Sequence, residues 1–306
     1  MDYTSIKEAS ERWGISDSRI RVLCRKGRIE GAVKIGRNWA IPAYASKPID
    51  GREAINKKYL GLEYDFKIID SLKNRIDKYR PFSKTLAKSL HEKLVVEWTY
   101  NSNAIEGNTL TMSETKVVLE GITVGGKSMV EHLETINHRD AILFIEGLVS
   151  SKESLSEWNI RNIHSLILKE IDNKYAGKYR TENVVISGAK HIPPKYYEIT
   201  NLMQKLIEEY DNNWIEYHPV VRATLLHGEF VKIHPFIDGN GRTSRLLLNF
   251  ELMKNGYTPI IIKNQDRAKY YEALDIAHTT MNYGPFIKFV SELVIESENL
   301  WLSVLD

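Results

Sequence analysis

The chain has little of what an oxidising compartment or a membrane demands. A single cysteine, Cys24, stands among 306 residues. One thiol can close no internal disulfide and build no Cys-rich zinc site, so a reducing, cytoplasmic setting is expected. No apolar run approaches the roughly 18 residues of a membrane span, so no membrane partner is expected. The opening MDYTSIKEASERWG lacks a basic segment followed by an apolar stretch, and no secretion signal is read there. Internal repeats and low-complexity tracts are also missing. What remains is ordinary: 42% hydrophobic and 27% charged residues, enough for a buried core in one large domain or two to three smaller ones. The formal charge of +2 hides an asymmetry. Residues 1–50 hold ten Lys or Arg against six Asp or Glu, a balance of +4 that leaves −2 for the rest. A basic leading segment points to a separate module with an anionic partner.

Three blocks follow from the pattern. In residues 1–50 a short helix is read from Ile6 to Trp13, stopped by Gly14. Ser16 or Asp17 caps a second that runs to about Lys26, with Gly27 as its stop. Ile29, Val33, Ile35, Trp39 and Ile41 then fall on alternating positions broken by Gly31 and Gly36-Arg37-Asn38, as in a hairpin. This order describes a winged helix-turn-helix and resembles the excisionase and MerR-like DNA-binding domains. Arg19, Arg21, Arg25, Lys26 and Arg28 lie on or just past the second helix, which suits phosphate contacts to DNA. AYASKPIDGRE reads as a linker. Residues 51–150 are mostly helical, with apolar spacing at Leu86, Leu90, Leu94 and Trp98 and again over Met129–Val149. Residues 151–306 hold further helices and one segment, TENVVISGAKHIPP, where β-formers flank a Ser187-Gly188-Ala189-Lys190 turn, as in a hairpin.

The chemistry concentrates in HPFIDGNGRTSR, residues 234–245. His234 carries a side chain whose ordinary pKa lies near neutrality, as a general base needs. Asp238 is a hard oxygen ligand of the kind Mg²⁺ takes beside phosphates. Gly239-Asn240-Gly241 permits the backbone angles at which successive N–H groups converge on an anion. An apolar helical pattern begins at Leu246, so the glycine loop sits at a helix N-terminus, where donors and macrodipole favour phosphate. Arg242 and Arg245 share one face of the first turn and can both fork onto phosphate oxygens.

These residues match, at every fixed position, the signature H-x-F-x-[D/E]-G-N-G-R-x-x-R, and over about residues 85–295 the chain resembles the Fic (Fic/Doc) family. The resemblance implies a mainly α fold, a Fic-type helical core with a β-hairpin flap over 182–194, behind the winged module. It implies transfer of AMP from ATP to a Ser, Thr or Tyr hydroxyl of a target protein or of the chain itself, with Mg²⁺ as cofactor. In that reading His234 deprotonates the hydroxyl, Phe236 holds the loop from within the core, and Asp238 holds Mg²⁺. Gly239, Asn240, Gly241 and Arg242 cradle phosphates, with Thr243 and Ser244 in the same nucleotide-binding turn, and Arg245 takes the γ-phosphate. The flap would clamp the target as an added strand, its turn Gly188-Ala189-Lys190-His191 over the nucleotide. Tyr270 and His278 would stand at the adenine pocket, although relatives often carry Asn at the His278 position.

A second string, Ser102-Asn103-Ala104-Ile105-Glu106-Gly107, fits the family's inhibitory pattern [S/T]-x-x-x-E-[G/N]. Ser102 and Glu106 lie four apart on one helix face, and Gly107 is a natural stop. The resemblance pairs Glu106 with Arg245, which would block the γ-phosphate position. In some relatives the same glutamate supports removal of AMP, and the sequence leaves both open. A homodimer that helps hold the inhibitory helix is a further partner the resemblance allows. A reading of another class also stays open: a DNA-binding regulator in which the Fic body is a sensor.

Two patterns are decoys. Gly121-Ile122-Thr123-Val124-Gly125-Gly126-Lys127-Ser128 matches the P-loop string, but SETKVVLE before it reads as helix and no strand–helix alternation surrounds it. His227, seven residues before His234, lies in a stripe with Phe230 and Ile233 and reads as structural. His91, His132, His138 and His164 stand alone in helical stretches and carry no usable signal.

Overall fold

The structure, a computed structural model, describes residues 3–14, 16–25, 27, 29–36, 38–45 and 65–306. The chain divides into two compact units, Met1–Ala54 and Ile55–Asp306, and each has a hydrophobic core of its own.

The first unit runs β1 (Tyr3–Thr4), α1 (Ile6–Trp13), α2 (Asp17–Arg25), β2 (Val33–Ile35) and β3 (Asn38–Pro42). Helix α1 starts on a capping box: Ser5 Oγ accepts the Glu8 N–H at 3.2 Å, and the Glu8 carboxylate accepts the Ser5 N–H at 2.8 Å. It ends where Gly14 takes a left-handed φ of 63° and returns its N–H to Ser10. Strands β2 and β3 form the expected antiparallel hairpin, with Val33 opposite Ala40 and Ile35 opposite Asn38, and β1 covers the other edge of β3. Ile6, Ala9 and Trp13 pack with Ile20, Leu23, Cys24, Ile29 and Ile41, which also buries the lone thiol. Arg21 and Arg25 are exposed on α2, whereas Lys26, Arg28 and the linker from residue 46 lie outside the described residues.

The second unit is helical: α3 (Lys67–Asp77), α4 (Lys84–Ile105), α5 (Met112–Leu119), α6 (Met129–Ser150), α7 (Glu157–Ile167), α8 (Ile199–Glu208), α9 (Pro219–Ile233), α10 (Asn240–Lys254), α11 (Arg267–Thr280) and α12 (Gly284–Leu305). Helix α10 is buried on all sides from Arg242 to Leu252 and packs against α9, α6, α7 and α4. A helix that is covered all round sits at the centre of its unit. Helices on both sides of residue 150 contribute to this one core. The P-loop-like string is the connection after α5, itself a helix, and ends on Ser128, which caps α6 through a box with Glu131. Lys127 is spent on the Thr109 carbonyl and hydroxyl. Among the described residues no helix is long and apolar enough to cross a membrane.

One expectation is corrected. The segment 182–194 is not a β-hairpin ladder. It is an extended excursion with a turn at Ser187-Gly188, where the Ala189 N–H meets the Ile186 carbonyl at 3.3 Å. Val184, Val185 and Ile186 are strand formers, but a strand needs a partner, and here hydrogen bonds to the rest of the fold hold the segment instead. Arg180 grips the Glu182 and Pro194 carbonyls, His191 donates to the Lys232 carbonyl, and Asp275 accepts the Lys190 N–H. Val185 and Ile192 are left 87% and 76% exposed.

Candidate active site

The site is built where α9 ends and α10 begins. His234 caps α9 in the left-handed region, φ 52° and ψ 58°, with its N–H returned to Phe230. Its Nδ1 lies 3.3 Å from the Val231 carbonyl, which can only accept. The proton is therefore on Nδ1 and the lone pair on Nε2. Burial pushes the imidazole pKa down to about 4, and the cation of Arg180 adds to this against the opposing pull of the Val231 carbonyl, Glu106 and Asp238. At neutral pH the side chain is an uncharged base.

The loop that follows is held from inside. Asn240 spends its amide on one residue, accepting from the Phe236 N–H at 3.0 Å and donating to its carbonyl at 2.9 Å. Phe236 is fully buried and stacks at 3.6 Å on His164. His164 accepts the Gly177 N–H on Nδ1 and donates from Nε2 to the Asp238 carbonyl, both at 2.9 Å. Burial pushes its pKa down to about 4, so it stays neutral in this bridge. Gly239 has φ 74°, and a Cβ there would press on His164 and Ile167 at 3.2 to 3.3 Å. A Cβ on Gly241 would collide with the Glu106 carboxylate. No side chain caps the start of α10; the Gly239 N–H is taken by Asp238 Oδ1, and the Glu106 carboxylate lies over Gly241.

The two arginines are held differently. Arg242 bonds Glu134 of α6 at 2.8 Å and Asp238 at 3.2 Å. Arg245 donates through Nε to Ser102 Oγ at 3.0 Å and through Nη2 to the Ser102 carbonyl and the Glu106 carboxylate, both at 2.8 Å. Burial lowers the Arg245 pKa, but the Glu106 carboxylate together with Tyr270 and Tyr271 more than offsets it and the pKa is raised. Asp238 keeps a carboxylate that is 68% exposed and still has free lone pairs after accepting the Gly239 N–H. One accessible hard-oxygen ligand fits a Mg²⁺ that is held mainly by substrate phosphates; a site of three or more protein ligands is absent among the described residues.

A cleft of about 740 Å³ opens over this floor. His234, Gly241, Arg245 and Glu106 face it from below, Ile186–Ala189 from the flap segment, and Tyr270, Tyr271 and His278 from α11. Tyr270 is buried, with its hydroxyl 2.8 Å from His227 Nε2. His278 donates from Nε2 to the Gly228 carbonyl, and burial pushes its pKa down to about 4. A polar floor with an anion-binding helix start, aromatic walls and a neutral imidazole suit a nucleotide-sized substrate with a phosphate chain.

Comparison with known proteins agrees. Residues 154–252 match the model of the Fic/DOC family. A Fic domain containing signaling protein from Bacteroides thetaiotaomicron is 32% identical, with a TM-score of 0.71 over 78% of this chain and 97% of its own. The chain belongs to the Fic/DOC family. The Fic-1 fragment from C. elegans also superposes with a TM-score of 0.71 at 28% identity, over 83% of this chain and 73% of that one. Protein adenylyltransferase Fic of Nematostella vectensis is 34% identical over 277 residues, and that of Drosophila melanogaster 38% over 210. These matches take in 85% and 66% of this chain, which spans 62% and 41% of the two relatives' own lengths.

Within this Fic/DOC frame, the structure brings His234, Gly241, Arg245, Glu106, Gly188, Ala189, Tyr270 and His278 to one cleft. It does not bring Asn240, Thr243 or Ser244 there by their side chains. Asn240 staples the loop, Thr243 is fully buried, and Ser244 bonds Gly241 and His227. Lys190 and His191 turn to Asp275 and to the Lys232 carbonyl at the rim. Sequence reasoning missed His164, Glu134 and the full part played by Arg180. Each is one polar residue in a helix or loop, and only its distant partner reveals its use.

Proposed function

We propose that the chain transfers AMP from Mg-ATP to a hydroxyl side chain of a protein. The observation that carries this reading is the neutral His234, its Nδ1–H on the Val231 carbonyl, in one cleft with Gly241 of the uncapped α10 N-terminus and Arg245. His234 Nε2 takes the proton of the target hydroxyl, and the oxygen attacks the α-phosphorus of ATP. The bond to the β-phosphate oxygen breaks and pyrophosphate leaves. The N–H groups at the start of α10, with Arg242 and Arg245, hold the phosphate charge in place, which is electrostatic catalysis by pre-set donors. Asp238 would hold Mg²⁺, which neutralises phosphate charge when bound. The segment 182–194 takes the target's backbone as an added strand. Glu106 restrains the reaction: its carboxylate sits on Arg245, where a terminal phosphate would otherwise bind.

The test is the intact mass of the 306-residue protein, alone and with candidate targets, after incubation with Mg-ATP. Glu106→Gly gains one or more AMP, the unaltered protein far fewer, and the double variant with His234→Ala none. No gain by Glu106→Gly with ATP or any other nucleoside triphosphate would sink the reading. Loss of AMP from a modified protein, dependent on Glu106, would assign hydrolysis instead.

The first unit supports a companion reading as a winged helix-turn-helix that binds DNA. Two short helices, the first capped at both ends, precede a two-stranded antiparallel wing, and Arg21 and Arg25 are exposed on the second. Footprinting near the protein's own gene should show binding that weakens steeply with salt, since phosphate contacts release counterions. Salt-insensitive or absent binding refutes it.

A further inference from the structure

Arg180 has a place no part of the proposed chemistry uses. It is 2% exposed, and burial lowers its pKa. All three of its side-chain bonds go to backbone carbonyls: Nε to His234 at 2.9 Å, Nη1 to Glu182 at 2.7 Å and Nη2 to Pro194 at 2.6 Å. Its own N–H donates to the Pro235 carbonyl at 2.9 Å. Burying a cation on neutral acceptors is costly, and a neutral donor could tie any one of these strands. The rigid guanidinium fork alone spans all three at once. Two of the carbonyls are the two ends of the flap segment, and the third belongs to the base itself. That third bond also secures a residue in the left-handed region, which a side chain with a Cβ enters only at a cost.

We infer that Arg180 is a positioning residue that locks both ends of the 182–194 segment to the backbone of His234, so that the target-holding strand and the general base move as one body. The inference rests on the adenylyl-transfer reading for its kinetic consequence but not for its geometry. A target strand laid along the flap is then registered directly against the atom that takes its proton. The charge has a second effect: it lies close enough to His234 to help keep the imidazole unprotonated.

Two substitutions separate the fork from the charge. Arg180→Lys keeps the cation but cannot span three carbonyls; Arg180→Gln loses both. In the folded protein, NMR titration of the His234 ring should give a raised pKa in Arg180→Gln and a little-changed one in Arg180→Lys. Amide exchange over 182–194 should quicken in both. With Glu106→Gly as parent, kcat for AMP transfer should fall about 100-fold in both variants while KM for ATP holds within about twofold, because misplacing a base harms the chemical step. If Arg180→Gln does not fold, the Lys variant still tests the lock through exchange and kcat. Unchanged flap exchange, or unchanged kcat from an active parent, overturns the inference and leaves the proposed function standing. An inactive parent with the predicted ring and exchange shifts overturns the function and leaves the lock standing.

Discussion

Acid should unfold this protein well above the carboxylate range. Five histidines, His138, His164, His227, His234 and His278, have pKa values lowered first by burial, three of them to about 4 and the other two well below the ordinary value. The sign follows from linkage. Above pH 6.5 both folded and unfolded forms are neutral and the groups cost nothing. Between about 6.5 and 4 the unfolded chain binds protons that the folded chain refuses, so stability falls as pH falls. At pH 5.5 each of the three groups at about 4 forfeits about 1.4 kcal/mol, together about 4, and His138 and His227 add to this in the same direction. That is a large part of the stability of roughly 5 to 15 kcal/mol expected of a folded domain. His91 opposes the trend, since its hydrogen bond to Glu146 raises its pKa, but it is one group against five. Urea melts of the 306-residue chain followed by circular dichroism at pH 7.5, 6.5 and 5.5 measure the slope. His278→Asn, at the cleft rim, should remove about one proton from the uptake. A stability constant to within about 1 kcal/mol from pH 7 to 5.5 would refute the claim that these histidines are buried neutral.

His234→Ala should abolish AMP incorporation while leaving circular dichroism unchanged, since its ring faces the cleft; retained labelling would remove it as base. Ser102→Ala strips the hydroxyl that Arg245 Nε reaches at 3.0 Å. The loosened arginine should release Glu106 in part, so labelling rises above the unaltered protein but stays below Glu106→Gly; no rise, or a fall, counts against the restraint. His164→Ala orphans the Gly177 N–H and the Asp238 carbonyl and should cost about 2 to 5 kcal/mol in a urea melt, with loss of transfer. A cost under about 1 kcal/mol would mean that the bridge is not what holds the loop.

The local signals were legible because they are local. Ser5 with Glu8, Gly14, Gly27 and Gly107 mark helix ends through bonds and backbone angles that neighbours along the chain supply. The motif 234–245 declares itself because glycines, a base and two arginines must adjoin to form an anion site at a helix start. Each half of the Glu106–Arg245 pair lies in its own short pattern, but that the two meet was implied by the family resemblance alone. Other features depended on what the fold brings near. The flap segment has strand formers around a turn, yet pairing needs a facing strand, and Arg180, Lys232 and Asp275 hold it instead. Asn240 reads as a phosphate ligand, but the buried Phe236 backbone needs both ends of its amide more. His164 and Arg180 carry no spacing at all. His164 lies 74 residues from the Asp238 carbonyl, and the packing of α7 against α10 delivers it; Arg180, in the loop beyond α7, lies 54 residues from the His234 carbonyl. The motif 234–245 can be read along the chain because its groups adjoin; which of them face the cleft, and which distant residues are buried to hold them still, follows from packing, because burial depends on the whole chain.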